Sequence, residues 1–324
     1  MIGNAKRGWI GVDIGQRAIK VAQLTRERGR LRLVAAAVCD WPAGADATQT
    51  DRLAEQFLAA RSLAERLRGD RVAAAFSMSA CQVEPTDSEA ADPVGRCSSR
   101  WTAGPASAYT LSTDAARVEA AVDGMAKAGW LCEAIDGQPL AIARATQLTE
   151  NYDAKELVGA LDLGETSATF VAAAGGAARY VRRLAFDGMD EVLRAAGDAL
   201  CMAPDEAGRL LRRQGTAGPP FAAGEQRVVH EAVRGALRPL AQEIQRTLEH
   251  LGGKLKTRPP ERLVVFGAGG VAPGLAEVLG SLAGLSSEPW RAAGLERSDG
   301  LANAPDCLLA QAIMLSALAW EARA

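Results

Sequence analysis

The chain has 324 residues, 48% of them hydrophobic and 23% charged, with a formal net charge of −2. At roughly 150 residues per domain, that length suggests about two domains or one duplicated architecture, with ample chain for a large core and a composition that excludes global disorder. Near-neutral charge offers no basic field for nucleic acid, and having only two histidines, His230 and His250, argues against a histidine metal site.

Trp9 to Val12 is a short apolar run ending in Asp13-Ile14-Gly15, and Ala18 to Leu24 and Leu31 to Val38 follow closely. Short apolar runs separated by turn residues predict a β-meander. Lys6 and Arg7 precede the first run, but Asp13 breaks it, which reads as a strand and not as a signal peptide. No stretch of about 18 apolar residues is present to span a membrane. Arg52 to Leu67 carries Leu53, Phe57, Leu63 and Leu67 at helical spacing, and Val72 to Phe76 reads as a strand. Glu84 to Pro105 is rich in Pro, Gly, Ser and Asp without periodicity, so a loop or partly disordered insertion is expected. A strand at Tyr109 to Leu111 follows. A helix over Asp114 to Ala128, with Thr113 or Asp114 as N-cap, ends at Gly129. Leu131 to Ile135 reads as a strand, and Pro139 to Leu148 as a helix with proline in its first turn.

The second half begins like the first. Strands are expected at Leu157 to Leu161, Ala168 to Ala173 and Tyr180 to Ala185, with a Gly175-Gly176 turn. Helices at Met189–Leu200, Pro204–Gln214 and Gln226–Leu251 precede a buried strand, Arg262 to Phe266, which opens onto Gly267-Ala268-Gly269-Gly270. Pro273 to Leu282 and Cys307 to Ala322 read as the last helices, the latter with Leu308, Ala312, Leu315 and Ala319 on one core stripe. The six cysteines (39, 81, 97, 132, 201 and 307) are scattered without a C-x-x-C pair, the usage of reduced thiols in a cytoplasmic protein.

An internal repeat decides the fold. Asp13-Ile14-Gly15-Gln16-Arg17-Ala18-Ile19-Lys20 matches Asp162-Leu163-Gly164-Glu165-Thr166-Ser167-Ala168-Thr169: a strand, a D-[IL]-G turn, three residues and a second strand. Glycine lets backbone N–H groups approach a phosphate closely, and aspartate at the strand end places a carboxylate where hydrated Mg²⁺ would sit. Lys20 supplies a cation for transferable phosphates. Small Ala18 and Ala22 on its side of the strand are expected to leave that side open.

This layout resembles the actin, DnaK and sugar-kinase superfamily and, within it, the PilM family of type IV pilus assembly proteins, kin of the division protein FtsA. The resemblance rests on WIGVDIGQRAIKVAQL at Trp9 to Leu24, LDLGETSATFV at Leu161 to Val171, RRLAFDGMDEVL at Arg182 to Leu193, MAPDEAGRLLRRQG at Met202 to Gly215 and LVVFGAGGVAPGLAEVL at Leu263 to Leu279. GWLCEAIDGQPLAIARA at Gly129 to Ala145 is similar to the inter-domain connection of the family. It implies an α/β fold of duplicated actin-like (ribonuclease H-like) domains facing a nucleotide cleft. The first would span 1–150, with a reduced inserted subdomain around 77–135, and the second 151–324.

The resemblance also implies roles. Asp13, Gly15, Gln16, Arg17 and Lys20 would form the first phosphate loop, and Asp162, Gly164 and Thr166 the second, with Mg²⁺ near Asp13 and Asp162. Gly267, Gly269 and Gly270, with Glu206 and Arg209, would hold the adenosine of ATP, and Gln138 would position an attacking water. Three departures from the family pattern stand out. Gln16 and Arg17 replace small loop residues, the Glu and Lys of the adenosine helix fall on Gly208 and Leu211, and the segment between Gln82 and Tyr109 is too short for the helix of the usual inserted subdomain. The implied function is a cytoplasmic assembly platform, at most a weak ATPase and able to self-associate. It would dock the cytoplasmic tail of a bitopic, PilN-like inner-membrane protein and so lie peripheral to that membrane, in a pilus or type II secretion-like machine. Alternatives are a small-molecule kinase of the same superfamily and a nucleotide-free interaction module.

Overall fold

The computed structural model describes residues 6–42, 49–86, 94–104, 107–216, 218, 224–255 and 258–321. The meander is present as β1 (Lys6–Ile14), β2 (Ala18–Glu27) and β3 (Arg30–Asp40), followed by α1 (Thr50–Leu63) and β4 (Arg71–Phe76). The expected loop at Glu84 to Pro105 is corrected. β5 (Gln82–Pro85) and β6 (Arg96–Gly104) flank β7 (Ser107–Asp114) in an antiparallel three-stranded sheet of order β5-β7-β6. β6 is an outer strand whose residues are mostly partly or fully exposed, so no apolar alternation marks it in the sequence. The part of that loop at 87–93, and residue 105, lie outside the described residues.

Then come α2 (Ala115–Lys127), β8 (Leu131–Gly137) and α3 (Gln138–Ala145). Asp114 occupies the N-cap position of α2 but makes no capping bond; its carboxylate pairs with Arg96 at 3.0 Å instead. The second half comprises β9 (Val158–Leu163), β10 (Ala168–Ala174), β11 (Ala177–Leu184), α4 (Met189–Leu200), α5 (Pro204–Gln214), α6 (Gly224–Leu255), β12 (Arg262–Phe266) and α7 (Leu275–Ala283). Two short strands that no sequence signal announces, β13 (Ser286–Pro289) and β14 (Glu296–Arg297), precede α8 (Asp306–Glu321).

The chain forms two compact units: Met1–Glu150 with Ala292–Ala324, and Asn151–Arg291. The expected extent of the second domain, 151–324, is corrected accordingly, because its last segment returns to the first unit. β14 pairs in parallel with β3, placing Glu296 opposite Arg32. Asp306, at the start of α8, accepts from the Ala292 backbone N–H at 3.1 Å and pairs with Arg297.

In the first unit the sheet order is β14-β3-β2-β1-β4-β8. One face carries Ile10, Val12, Ile19 and Val21 into a core with Leu53 and Phe57 of α1 and Ala121 and Met125 of α2. α8 covers the other face at unusually close range. A Cβ on Gly11 would stand 1.9 Å from the Ala312 carbonyl oxygen, and one on Gly8 2.5 Å from that of Ser316. Only residues without a β-carbon allow this backbone-to-backbone approach. Ala18 and Ala22, expected to leave this side open, are buried, and α8 is buried nearly all round instead of along one stripe.

The sheet pairing is irregular between Arg7 and Ile10, and side chains supply what the ladder lacks. Ser316 Oγ accepts from Leu24 N–H at 2.9 Å and donates to the Trp9 carbonyl at 2.6 Å. Buried Gln23 donates to the carbonyls of Gly8 (3.1 Å) and Arg68 (2.8 Å), and accepts from Arg68 N–H at 3.0 Å.

The second unit repeats the β-meander in a sheet of order β11-β10-β9-β12-β13. β9 and β12 run parallel with Asp162 beside Phe266, so their carboxyl ends turn side by side.

Gly11→Ala should displace α8 and destabilise the chain by more than about 3 kcal/mol, because an overpacked core costs about 1–3 kcal/mol where neighbours can shift and here the neighbour is backbone. Thermal unfolding of the purified variant checks this.

Candidate functional site

In the first unit β1, β4 and β8 are parallel, with Ile14 beside Phe76 and Phe76 beside Gly137. Their carboxyl ends therefore form one edge, the place where open α/β sheets gather ligand-binding groups. Asp13, near the end of β1, is almost fully buried and lies opposite Lys20 across the β1–β2 pair. Lys20 Nζ donates to Asp13 Oδ2 at 2.9 Å. Gln311 of α8 is satisfied in one amide orientation. Its nitrogen then faces both Asp13 oxygens at 3.0 Å, and its oxygen accepts from Gln138 Nε2 at 2.9 Å. Gln138, buried at the start of α3, accepts from the Met78 backbone N–H at 2.8 Å. The result is a continuous buried chain: Lys20, Asp13, Gln311, Gln138 and the turn after β4.

The turn between β1 and β2 is tight. Gly15 N–H donates to the Ala18 carbonyl at 3.0 Å, and a Cβ on Gly15 would stand 2.7 Å from that same oxygen. Trp41 braces the turn from outside, its Nε1 donating to the Gly15 carbonyl and its backbone N–H to that of Arg17, at 3.0 and 2.7 Å. Gln16 and Arg17 are exposed. Gln16 Nε2 reaches Ser79 Oγ at 2.7 Å, and Ser79 also bonds Ser77. The short turn 77–80 is thus held by Gln16 on one side and Gln138 on the other.

In the second unit, Asp162 near the end of β9 is also buried. Gly164 N–H donates to the Ser167 carbonyl at 3.0 Å, and the Gly164 and Glu165 carbonyls accept from Met189 and Asp190 at the start of α4, each at 2.9 Å. Gly188 and Gly267 have φ of +67° and +73°, a region that only glycine enters cheaply. A Cβ on Gly267 would meet Asp162 Oδ1 at 2.6 Å, and one on Gly269 would meet the Leu163 side chain at 2.4 Å. The turn after β12 therefore closes over the Asp162 carboxylate. Thr166 is half-buried beside it, and Gly270 N–H closes the turn onto the Gly267 carbonyl at 3.2 Å. Across the sheet from Asp162 lies Thr169, buried, with an Oγ1 that no described residue bonds.

Glu206 and Arg209, expected at the adenosine, lie exposed on α5. Glu206 accepts from the Ala203 backbone N–H at 3.3 Å, as a helix-start residue does, and stands 4.0 Å from Arg209. Their visible work is local. Among the described residues no cluster of three or more His, Cys, Asp or Glu could hold a metal alone.

Tested against ATP and Mg²⁺, the two halves differ. The second-unit turn fits, because it combines a buried carboxylate, an unbonded hydroxyl and a glycine cradle at one strand end. In the first unit the Asp13 carboxylate is already shared by Lys20 and Gln311, so a metal there competes with two resident donors. Sequence reasoning missed Gln311; the signal was a lone glutamine inside the apolar run Leu308 to Leu318.

No protein-family model matches the chain, and no curated protein matches it in sequence. Solved structures do. PilM in the PilM–PilN type IV pilus biogenesis complex aligns with a TM-score of 0.76 at 19% identity, covering 96% of this chain and 98% of that one. The ethanolamine utilization protein EutJ from Carboxydothermus hydrogenoformans aligns at 0.60 and 15% identity, covering 95% and 88%. A ROK-family glucokinase from Streptomyces griseus, solved with glucose and AMPPNP, aligns at 0.53 and 15%, covering 98% and 100%. The chain has the two-domain actin-like fold of PilM.

Lys20→Ala should cost about 3–5 kcal/mol of stability, the loss seen when one partner of a buried pair is removed. Asp13→Asn in the same chain should restore most of it. Urea unfolding of both variants is the measurement.

Proposed function

We propose that this chain is a cytoplasmic, actin-like assembly platform that docks the tail of a PilN-like inner-membrane protein and binds ATP without appreciable turnover. End-to-end agreement of fold with PilM carries the docking half of this reading. A cavity of about 90 Å³ supports it within the first unit, where Phe76, Leu111, Val118 and Ile135 supply apolar walls and Cys97 and Ser99 of β6 the rim. That volume suits the apolar side chains of an extended segment, and outer strand β6 offers such a segment backbone groups to pair with.

For nucleotide, the glycine-closed turns around Asp162, Gly164, Thr166 and Gly267 are the stronger half, and the Gly15 turn the weaker. When bound, Mg²⁺ would supply charge neutralisation to the phosphates, with Asp162 and Thr169 as the groups on hand. Gln138 is poorly placed to orient a water, since its oxygen already accepts from Met78 N–H and its nitrogen donates to Gln311. That argues against hydrolysis. Turn 77–80 connects the two activities, because Gln16 bonds its middle while Phe76 and Cys81 at its flanks line the cavity. A ligand that draws Gln16 away from Ser79 would shift the balance between cavity conformations and so bias partner affinity. The alternative kinase activity would appear as sustained ATP consumption with a sugar, and a nucleotide-free module as no heat of binding.

Two measurements test the reading. In calorimetry, Asp162→Asn should weaken Mg-ATP binding by about 1.5–3 kcal/mol, the worth of a hydrogen bond to a charged group; equal affinity in parent and variant would remove the site from the second unit. In the second, a PilN-like tail peptide should protect exposed Cys97 from alkylation while leaving Cys201, exposed in the other unit, unprotected. Burial pushes the Cys81 thiol up to about 11, so at pH 8 it stays protonated and contributes little labelling, because the thiolate is the nucleophile.

A further inference from the structure

The end of the first-unit sheet opposite the Asp13 turn gathers cations. β1 enters there with Lys6 and Arg7, β2 leaves with Arg26, and Lys6 and Arg26 face each other in register. The β2–β3 turn places Arg28 at its tip with φ +49° followed by Gly29 at +84°, and the segment before β4 adds Arg66 and Arg68. All six are exposed, and none pairs with a carboxylate among the described residues. Arg30 and Arg32 share the single carboxylate of Glu296, and Arg71 pairs with Glu133. The remaining local acids, Glu27, Glu65 and Asp70, are exposed. Arg7 and Arg68 are crowded about Gln23: Arg7 Nη1 donates to Gln23 Oε1 at 3.2 Å while the Arg68 backbone N–H donates to the same oxygen. Burial and the neighbouring Arg68 charge hold the Arg7 guanidinium below its ordinary value. A protein with net charge −2 thus concentrates uncompensated positive charge on one end of one sheet.

We infer that this end of the sheet is a contact surface for a layer of anionic lipid headgroups. The cations sit on two adjacent strands, the turn to a third and the loop before a fourth, a row roughly 15 Å across at the usual strand spacing, and not around a concavity that would grip one fixed anion. Exposed cations in a row, none paired with a carboxylate among the described residues, suit a laterally mobile anionic layer, which can rearrange to meet each of them. Leu131, 54% accessible beside Arg71, and Leu63, 59% accessible at the end of α1 just before Arg66, are large apolar side chains exposed at this end; leucines there can enter the interfacial region. No aromatic side chain is interleaved with the arginines in Arg26 to Arg32 or Arg66 to Arg71, and Trp9 beside Lys6 and Arg7 is half-buried, so little of the surface offers the base stacking that single-stranded nucleic acid needs. Polybasic surfaces of this kind add attraction with each Lys or Arg near an anionic leaflet and lose it within a Debye length. The surface is at the far end of β1 from Asp13, so lipid contact leaves the phosphate turn of this unit uncovered. This goes beyond docking through a membrane partner and does not depend on it.

The test is flotation of the full chain with vesicles of phosphatidylcholine alone or with about one-third phosphatidylglycerol, at low and high salt. The expected result is association with anionic vesicles only, released by high salt. Arg26→Glu/Arg28→Glu/Arg66→Glu should reduce the vesicle partition at least tenfold. An equal charge change in the other unit, Arg213→Glu/Arg238→Glu/Arg291→Glu, should reduce it less than threefold. Thermal unfolding of both triple variants confirms that the fold is kept; should the first fail to fold, Arg26→Gln/Arg28→Gln takes its place, with a smaller but salt-sensitive loss expected. Equal association with neutral vesicles, no association at low salt, or equal loss in both triple variants would overturn the inference. So would tight, salt-sensitive binding to duplex DNA or polyglutamate with no vesicle binding, which would assign the surface to a nucleic acid or an acidic protein.

Discussion

The close seating of α8 on β1 governs the first unit, because sheet regularity, the buried polar chain and the unit boundary all depend on it. A helix normally packs on a sheet through side chains at about 10 Å. Here Gly8 and Gly11 remove the β-carbons of the sheet, and the carbonyls of Ala312 and Ser316 come down to the strand itself. At that range Ser316 can replace the missing ladder bonds where β1 and β2 slip register, and Gln311, one turn away, can reach Asp13. Buried donors and acceptors left unmade cost about 1–3 kcal/mol each, so both polar side chains hold the helix in a single rotational setting. The apolar surface of α8, buried nearly all round, supplies adhesion but little of that specificity.

Much of this was legible in the sequence, and the parts that were not have physical reasons. Helix bounds at Met189–Leu200 and Pro204–Gln214 and the strand Arg262–Phe266 coincide with expectation, because strong periodicity there is flanked by Gly or Pro. The paired D-x-G turns located both strand ends correctly, since a carboxylate followed by glycine is a local signal needing no tertiary information. β6 escaped because an outer strand in a small sheet needs no apolar face. The return of Ala292 to Ala324 to the first unit escaped because proximity in sequence says nothing about which sheet a helix covers. Lys20 was read as a free phosphate ligand. Strand alternation gave its direction but could not give its neighbour, and in the structure Asp13 faces it directly across the pair.

The two halves build the same kind of turn with different partners. Each half keeps a buried aspartate at a strand end, with the eighth motif residue opposite it across the strand pair. In the first half that residue is Lys20, and α8 brings Gln311 as well, so the carboxylate is fully engaged by the protein. In the second it is Thr169, whose hydroxyl has no partner among the described residues. A buried carboxylate shared by a lysine and a glutamine serves as structure, whereas a buried, unbonded hydroxyl opposite the second aspartate leaves a polar group for a ligand to meet. The first turn is instead tied into its unit, since its exposed Gln16 bonds Ser79 and its buried aspartate reaches the turn after β4 through Gln311 and Gln138.

That difference bears on the proposed function, in which the chain would respond to nucleotide without appreciable turnover. The candidate glutamine is buried, accepts from Met78 N–H and faces Gln311, so on the proposed function it would serve to hold the turn after β4 more than to orient a water. Regulation needs less: two arrangements of one short segment that differ in stability by a few kcal/mol, with a ligand favouring one of them. On the proposed function, residues 77–80 are the segment on which such a ligand would act. The segment is a single 3-10 turn, fastened by side-chain hydrogen bonds from Gln16 and Gln138 and flanked on both sides by residues of the apolar cavity. A hydrogen bond from an exposed amide such as that of Gln16 is worth about 0.5–1.5 kcal/mol, enough to shift partner affinity severalfold but too little to drive work. On the proposed function, the arrangement would suit a module that reports ligand at the Gly15 turn to the cavity beside β6.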